Sequence, residues 1–198
     1  MSDHLYRPGH PVRFVTAASL FDGHDASINI MRRLLQRQGA EVIHLGHNRS
    51  VDDVVAAVVQ EDADGVAVSS YQGGHVEYFG YLMDRLRHEG RGDVKVYGGG
   101  GGVIVQAEID ALHQAGVAHI FSPADGQRLG LERMVNTMLE ACDHSPAPPS
   151  EADLDATLTG DRGALARIIS AVEAGVVTAA AQQTLAGAAS ASAAPVLG

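Results

Sequence analysis

Apolar residues recur along the first 142 positions of this chain in two rhythms that alternate. Short, nearly unbroken runs at Val12 to Ala18, Glu41 to Leu45, Gly65 to Ser69, Asp93 to Tyr97 and Val117 to Phe121 read as five buried strands. Between them the spacing changes to that of a helix. Ile28 to Gln38 sets Ile28, Met31, Leu34 and Leu35 on one stripe and is closed by Gly39. Ser50 opens the next helix as an N-cap, with Asp52 and Asp53 in its first turn and Val54, Val55, Val58 and Val59 beneath. Further helices are predicted from about Gly74 to His88, over a stretch ending near Ala115 and Gly116, and from Gly126 to Cys142.

Strand and helix in strict alternation predict an α/β fold, a parallel sheet covered by helices on both faces. Right-handed crossovers then leave a flavodoxin-like, doubly wound five-stranded parallel sheet in the order 2-1-3-4-5. Such sheets hold ligands beyond the carboxyl ends of their strands, at the switch point between strands one and three. The unusual residues of this chain gather at those ends. Asp22, Gly23 and His24 follow the first strand, and Ser69, Ser70, Tyr71 and His75 follow the third. Gly98 to Gly102 follow the fourth, and Ser122 follows the fifth. The opposite ends carry ordinary helix-to-strand connections. One edge of the sheet is built to let something large approach the backbone.

The pattern breaks after Cys142. Residues 144–150 are a proline-rich linker, Asp161 to Ala174 carries Leu165, Ile168, Ile169 and Val172 at helical spacing, and Val176 to Ala193 is alanine-rich. Residues 10–142 therefore form the expected domain and 143–198 a C-terminal helical linker. These helices hold too few large apolar residues to make a core of their own, so they are expected to pack on something outside the chain. Residues 194–198 read like the start of another buried strand, and the polypeptide reads as an N-terminal fragment.

Composition narrows the possible partners. A net charge of −10 and a single lysine, Lys95, exclude a nucleic-acid partner, which needs a basic face. No apolar run approaches the roughly 20 residues of a membrane span, and the N-terminus lacks the apolar core of a signal peptide, so the expected compartment is the cytoplasm with no membrane partner. With only Cys142 there is no internal disulfide and no cysteine metal cluster.

An imidazole that binds a metal through one ring nitrogen needs its other N–H held, and a carboxylate is the usual group that does so. Asp22 and His24, two residues apart across Gly23, can supply both; an Asp near a His in a loop also serves as a turn or helix cap. Glycines at a strand end permit close backbone approach, although the run also reads as a flexible turn. No Gly-Lys-Ser/Thr follows them, so they are not a P-loop, and the dinucleotide fingerprint belongs after the first strand instead. Ser69 and Ser70 either donate to a ligand or cap the next helix. His75, after two glycines at the ligand edge, is a candidate for lining the site. His44 and His47 are candidates by residue type alone, and His113 and His119, on a helix and in a strand, read as structural. No Ser-His-Asp or Cys-His arrangement has the context of a nucleophile loop. A receiver domain would need an acidic pair after the first strand and a lysine after the fifth, and neither is present.

On Asp22-x-His24, Ser69-x-Tyr71 and the strand-four glycines, the chain resembles the cobalamin-binding domain of the acyl-CoA mutases over residues 10–142. That family's pattern is Asp-x-His-x-x-Gly, Ser-x-Leu and Gly-Gly at the ends of strands one, three and four. The form of all three segments is nearest to the N-terminal part of fused isobutyryl-CoA mutases. The resemblance implies adenosylcobalamin as cofactor, with His24 replacing the cofactor's own base as the lower ligand of cobalt and Asp22 its hydrogen-bond partner. It implies that the displaced nucleotide tail enters the sheet edge beside Ser69, Ser70, Tyr71, His75, Gly98, Gly99 and Ser122, with Gly101 and Gly102 as the Gly-Gly pair. Ser27 stands where the first motif has its glycine, Tyr71 where the second has leucine, and no lysine precedes Asp22. By the same resemblance the full protein is a homodimer that rearranges isobutyryl-CoA to n-butyryl-CoA. A GTPase chaperone domain and an acyl-CoA-binding barrel would lie in the same polypeptide, and this part alone would bind cobalamin without catalysing anything.

Two related corrinoid readings fit less well. A methyltransferase module usually carries a helical cap upstream, and here the first strand starts near residue 12. A cobalamin photoreceptor would need that cap and a DNA-binding helix-turn-helix. A cofactor-free interaction module of the same fold stays open.

Overall fold

A computed structural model describes residues 5–191. Five strands, β1 (Arg13–Ser19), β2 (Glu41–Arg49), β3 (Gly65–Ser69), β4 (Lys95–Gly99) and β5 (His119–Phe121), pair in parallel in the order β2-β1-β3-β4-β5. This is the order that alternation and crossover handedness predict. The helices between them are α1 (Ala26–Arg37), α2 (Val51–Glu61), α3 (His75–His88) and α4 (Gln106–Gln114), followed by α5 (Pro123–Leu129) and α6 (Leu131–Cys142).

Alternate residues of each strand point to opposite faces, so the sheet carries two cores. Val15, Val66, Val68, Val96 and Ile120 pack under α2, α3 and α4 through Val54, Phe79, Leu82 and Leu112. Phe14, Ala67 and Tyr97 pack under α1 and α6 through Ile28, Leu35, Met138 and Leu139. Complete burial of Phe14, Phe79, Leu35 or Leu139 contributes about 1.5–3 kcal/mol each. Ser50 and Asp53 exchange bonds as a capping box and set the start of α2.

Three boundaries differ from the sequence-based expectation. β2 runs four residues past Leu45, its register against β1 shifting after Thr16 and again after Ala17, which carries the strand to the ligand edge. The helix expected from Gly126 is two helices, broken where Gly130 takes φ 74°. Gly98 and Gly99 belong to β4 and do not form a loop.

Residues 145–198 form a separate compact unit, of which α7 (Glu151–Leu158), α8 (Arg162–Glu173) and α9 (Ala179–Ala191) are described. It has its own small core, Leu154, Ile168 and Ala181 with Val177 and Leu185 against them. The expectation that these helices lack a core of their own is therefore corrected. α7, which apolar spacing does not predict, is started by a Ser150–Asp153 capping box and tied to α8 by Arg167 and Asp153 at 2.7 Å. Leu165, Ile169 and Val172 of α8 remain about half exposed. The strand expected over 194–198 lies outside the described residues. Among those residues, no helix is long and apolar enough to cross a membrane.

Candidate functional site

The loop leaving β1 turns sharply, the Asp22 N–H donating to Ser19 O at 3.0 Å. The turn puts Phe21 at φ 64° with the residue 83% exposed, and the Phe21 N–H donates to Asn48 Oδ1 of the extended β2 at 2.8 Å. Asp22 is thereby drawn inward until its carboxylate is fully buried. Oδ1 accepts the His24 backbone N–H at 2.8 Å and faces His24 Nδ1 at 2.9 Å; Oδ2 accepts the Tyr71 N–H from the loop after β3. Burial by itself would raise the Asp22 pKa, but the N–H donors of Tyr71 and His24 and the neighbouring imidazole outweigh it and hold the carboxyl below its ordinary value.

Asp22 is thus an Asx-type turn residue that also bonds across 49 positions of sequence, and it caps no helix. With Nδ1 turned to the carboxylate, the imidazole presents Nε2 outward, and 78% of the side chain is exposed. The tautomer with hydrogen on Nδ1 leaves a lone pair on Nε2 for a metal. Among the described residues no three His, Cys, Asp or Glu side chains converge to hold an ion. A metal bound through His24 must bring its other ligands with it.

Beside His24 a cleft of about 360 Å³ opens between α1 and α6, over the ends of β3, β4 and β5. Its walls are mainly apolar, with Met31, Tyr97, Phe121 and Met138 among them. Two hydroxyls in this lining, Ser27 Oγ and Ser69 Oγ, are buried with no hydrogen-bond partner. Buried polar groups almost always have a partner, so two orphans in one cleft indicate a missing one.

The glycines divide by face. A Cβ on Gly98 would stand 2.5 Å from Phe79 and 2.6 Å from Ile120, on the far side of the sheet, so Gly98 serves core packing even though its backbone borders the cleft. Gly99, Gly100 and Gly101 form the cleft margin. A side chain on Gly100 would collide with the Ser70 carbonyl, and one on Gly101, at φ 58°, with the Tyr71 ring. Gly102, at φ 96°, faces Pro123 and does not line the cleft; Gly23 has open space around it.

Ser69, Tyr71 and Ser122 reach the cleft, although Ser122 is already engaged as the N-cap of α5 with Asp125. Ser70 is buried at the strand ends, its Oγ accepting from Ser19 Oγ at 2.9 Å and its N–H donating to Gly99 O at 2.8 Å. His75 is not brought to the cleft. It is the first residue of α3 and 3% exposed, with Nδ1 3.0 Å from Gln72 O and Nε2 3.0 Å from Glu108. The ring is held by Glu108, 33 positions on, and His75 is not among the residues lining the cleft. His113 accepts the Ile120 N–H through Nε2 at 3.0 Å, closing the edge of β5. Sequence reasoning passed over Ser27 as a mere departure from a motif, and the methionines of α6 carried no local signal at all.

The B12 binding domain family model matches residues 12–132. Fused isobutyryl-CoA mutase of Geobacillus kaustophilus is 59% identical over 170 residues, which is 86% of this chain and 16% of that protein. The protein of the same name from Nocardia farcinica is 59% identical over 98% of this chain and 18% of its own length. The chain thus spans less than a fifth of these two relatives. The 2-hydroxyisobutanoyl-CoA mutase small subunit of Aquincola tertiaricarbonis is 32% identical over 56% of this chain and 79% of that subunit. Among solved structures, a cobalamin-binding protein from Desulfitobacterium hafniense shares the fold, with TM-score 0.55 and 24% identity over 66% of this chain and 58% of that one.

Proposed function

Since the chain belongs to the B12-binding domain family and is related to the acyl-CoA mutases, we propose that it carries adenosylcobalamin with the cofactor's own base displaced and His24 Nε2 on cobalt. The observation that carries this reading is the buried Asp22 carboxylate. It turns His24 outward beside a cleft with two orphaned hydroxyls. Among the described residues no cluster of protein ligands could hold a bare ion, so a cobalt held by His24 would come with its remaining ligands supplied by the cofactor. Asp22 holds the Nδ1 proton and strengthens Nε2 as a donor. The mainly apolar cleft receives the nucleotide tail, and Ser27 and Ser69 offer it hydrogen bonds. Gly99 to Gly101 keep the cleft margin free of side chains.

When bound, adenosylcobalamin supplies a cobalt–carbon bond whose homolysis starts a 1,2-rearrangement of carbon skeletons. Similarity to the fused isobutyryl-CoA mutases supports isobutyryl-CoA as the substrate, and the same proposal takes n-butyryl-CoA as its product and places acyl-CoA binding and GTP hydrolysis in other domains of a full-length protein. The residues of this chain orient the cofactor and shelter its tail.

Electron paramagnetic resonance of the protein loaded with cob(II)alamin tests the axial assignment. We expect a nitrogen splitting from the histidine in the wild type and its loss in His24→Ala. Splitting that persists in the variant removes His24 from the cobalt.

A further inference from the structure

We infer that Tyr71 couples the seating of the nucleotide tail to the orientation of His24, an inference that rests on the tail and axial assignments above. The Asp22–His24 pair and the cleft meet at this one residue. Its backbone N–H donates to Asp22 Oδ2. Its ring packs against the His24 imidazole, with centroids 5.7 Å apart and planes at 41°. The same ring lies against Gly101, so close that any Cβ there would collide with it, and it forms part of the cleft wall. Gly101 at φ 58° is the turn that leaves room for the ring.

A group entering the cleft bears on the Tyr71 ring, and the Tyr71 loop holds one oxygen of the carboxylate that orients His24. Coupling between sites is reciprocal. Tail in the cleft favours a fixed imidazole, and an imidazole fixed on cobalt favours tail in the cleft. Leucine, which stands here in the family pattern, keeps the backbone bond but has no flat face for the imidazole. Tyr71 is a positioning residue in this scheme, acting through His24.

The test compares cob(II)alamin with cob(II)inamide, which lacks the tail. The ratio of their affinities measures the advantage the tail confers. We expect Tyr71→Leu to lower that ratio about fivefold or more and to leave it unchanged in a His24→Ala background. Tyr71→Phe, which keeps the ring, should match the wild type in ratio and in histidine splitting. Equal loss of the ratio with and without His24 would show that Tyr71 only touches the tail, and no loss in either background would remove it from both roles. Both results overturn the coupling. Absence of histidine splitting in loaded wild-type protein would instead overturn the axial assignment, and the coupling with it. Melting curves of each variant separate these outcomes from misfolding, which the half-buried loop position of Tyr71 disfavours.

Discussion

Phe21 holds a backbone angle that costs a bulky residue about 1–2 kcal/mol, and its exposed ring recovers little of that by burial. Asparagine tolerates the left-handed region, so Phe21→Asn is expected to stabilise the unliganded protein by about 1 kcal/mol, read from the denaturant midpoint. At Asp22 the direction reverses. Asp22→Asn keeps an acceptor but loses the charge that strengthens His24, and cobalamin titration should show affinity falling by about 10–100-fold. Asp143 secures the N-terminal segment, accepting from Tyr6 Oη at 2.6 Å and from the Gly9 N–H at 2.7 Å. Burial opposes its ionisation, yet these donors and His10 pull its pKa down to about 2. A carboxyl depressed on folding stabilises the protein fully above its ordinary value of 3.8, and that contribution disappears as pH falls from there toward about 2. Asp143→Asn should therefore flatten the fall in melting temperature across that window.

Neighbouring glycines of β4 separate the roles of the two faces at the level of the element. Alanine at Gly98 drives a methyl into Phe79 and Ile120, and overpacking of this kind costs typically about 1–3 kcal/mol. Gly98→Ala should accordingly melt earlier with or without cobalamin. On the other face, a Cβ at Gly99 comes no nearer than 3.4 Å to Phe121 O, so Gly99→Val should fold normally while its branches intrude on the cleft. Near-native melting with lost cobalamin affinity is the expected pair of results. Wild-type affinity in Gly99→Val would place the tail elsewhere.

The chain divides into two compact units, the first holding two hydrophobic clusters and the second one, and the proline-rich stretch before Ser150 carries no helix or strand. Exposed, unpaired backbone of this kind is where proteases cut. Limited proteolysis is expected to cleave within residues 145–150 and release a fragment ending near His144 that still binds cobalamin. Loss of binding on that cut would mean that the second unit contributes to the site.

Strand positions, most helix positions and the Asp22–His24 pair were legible in the sequence because each is written locally, and strand order followed from their alternation and the right-handed crossover. Short unbroken apolar runs make buried strands, caps and glycines bound helices, and two residues on one loop stay close in sequence and in space. The capping box at Ser150 was equally local and went unread because no apolar stripe followed it. What lay outside the sequence depends on partners brought from far along the chain. Tyr71 reaches Asp22 across 49 positions and Glu108 claims His75 across 33, turning one residue into a hinge of the site and withdrawing the other. The split of Gly98 and Gly99 between core and cleft follows the pleat of a strand that the glycine run conceals. Ser27, on α1, and Ser69, at the end of β3, meet in one cleft wall as buried hydroxyls without partners only in the assembled fold. Local pattern thus determined the frame and the Asp22–His24 pair, whereas packing at long range decided which side chains the cleft keeps free, because burial and partner choice are properties of the assembled sheet.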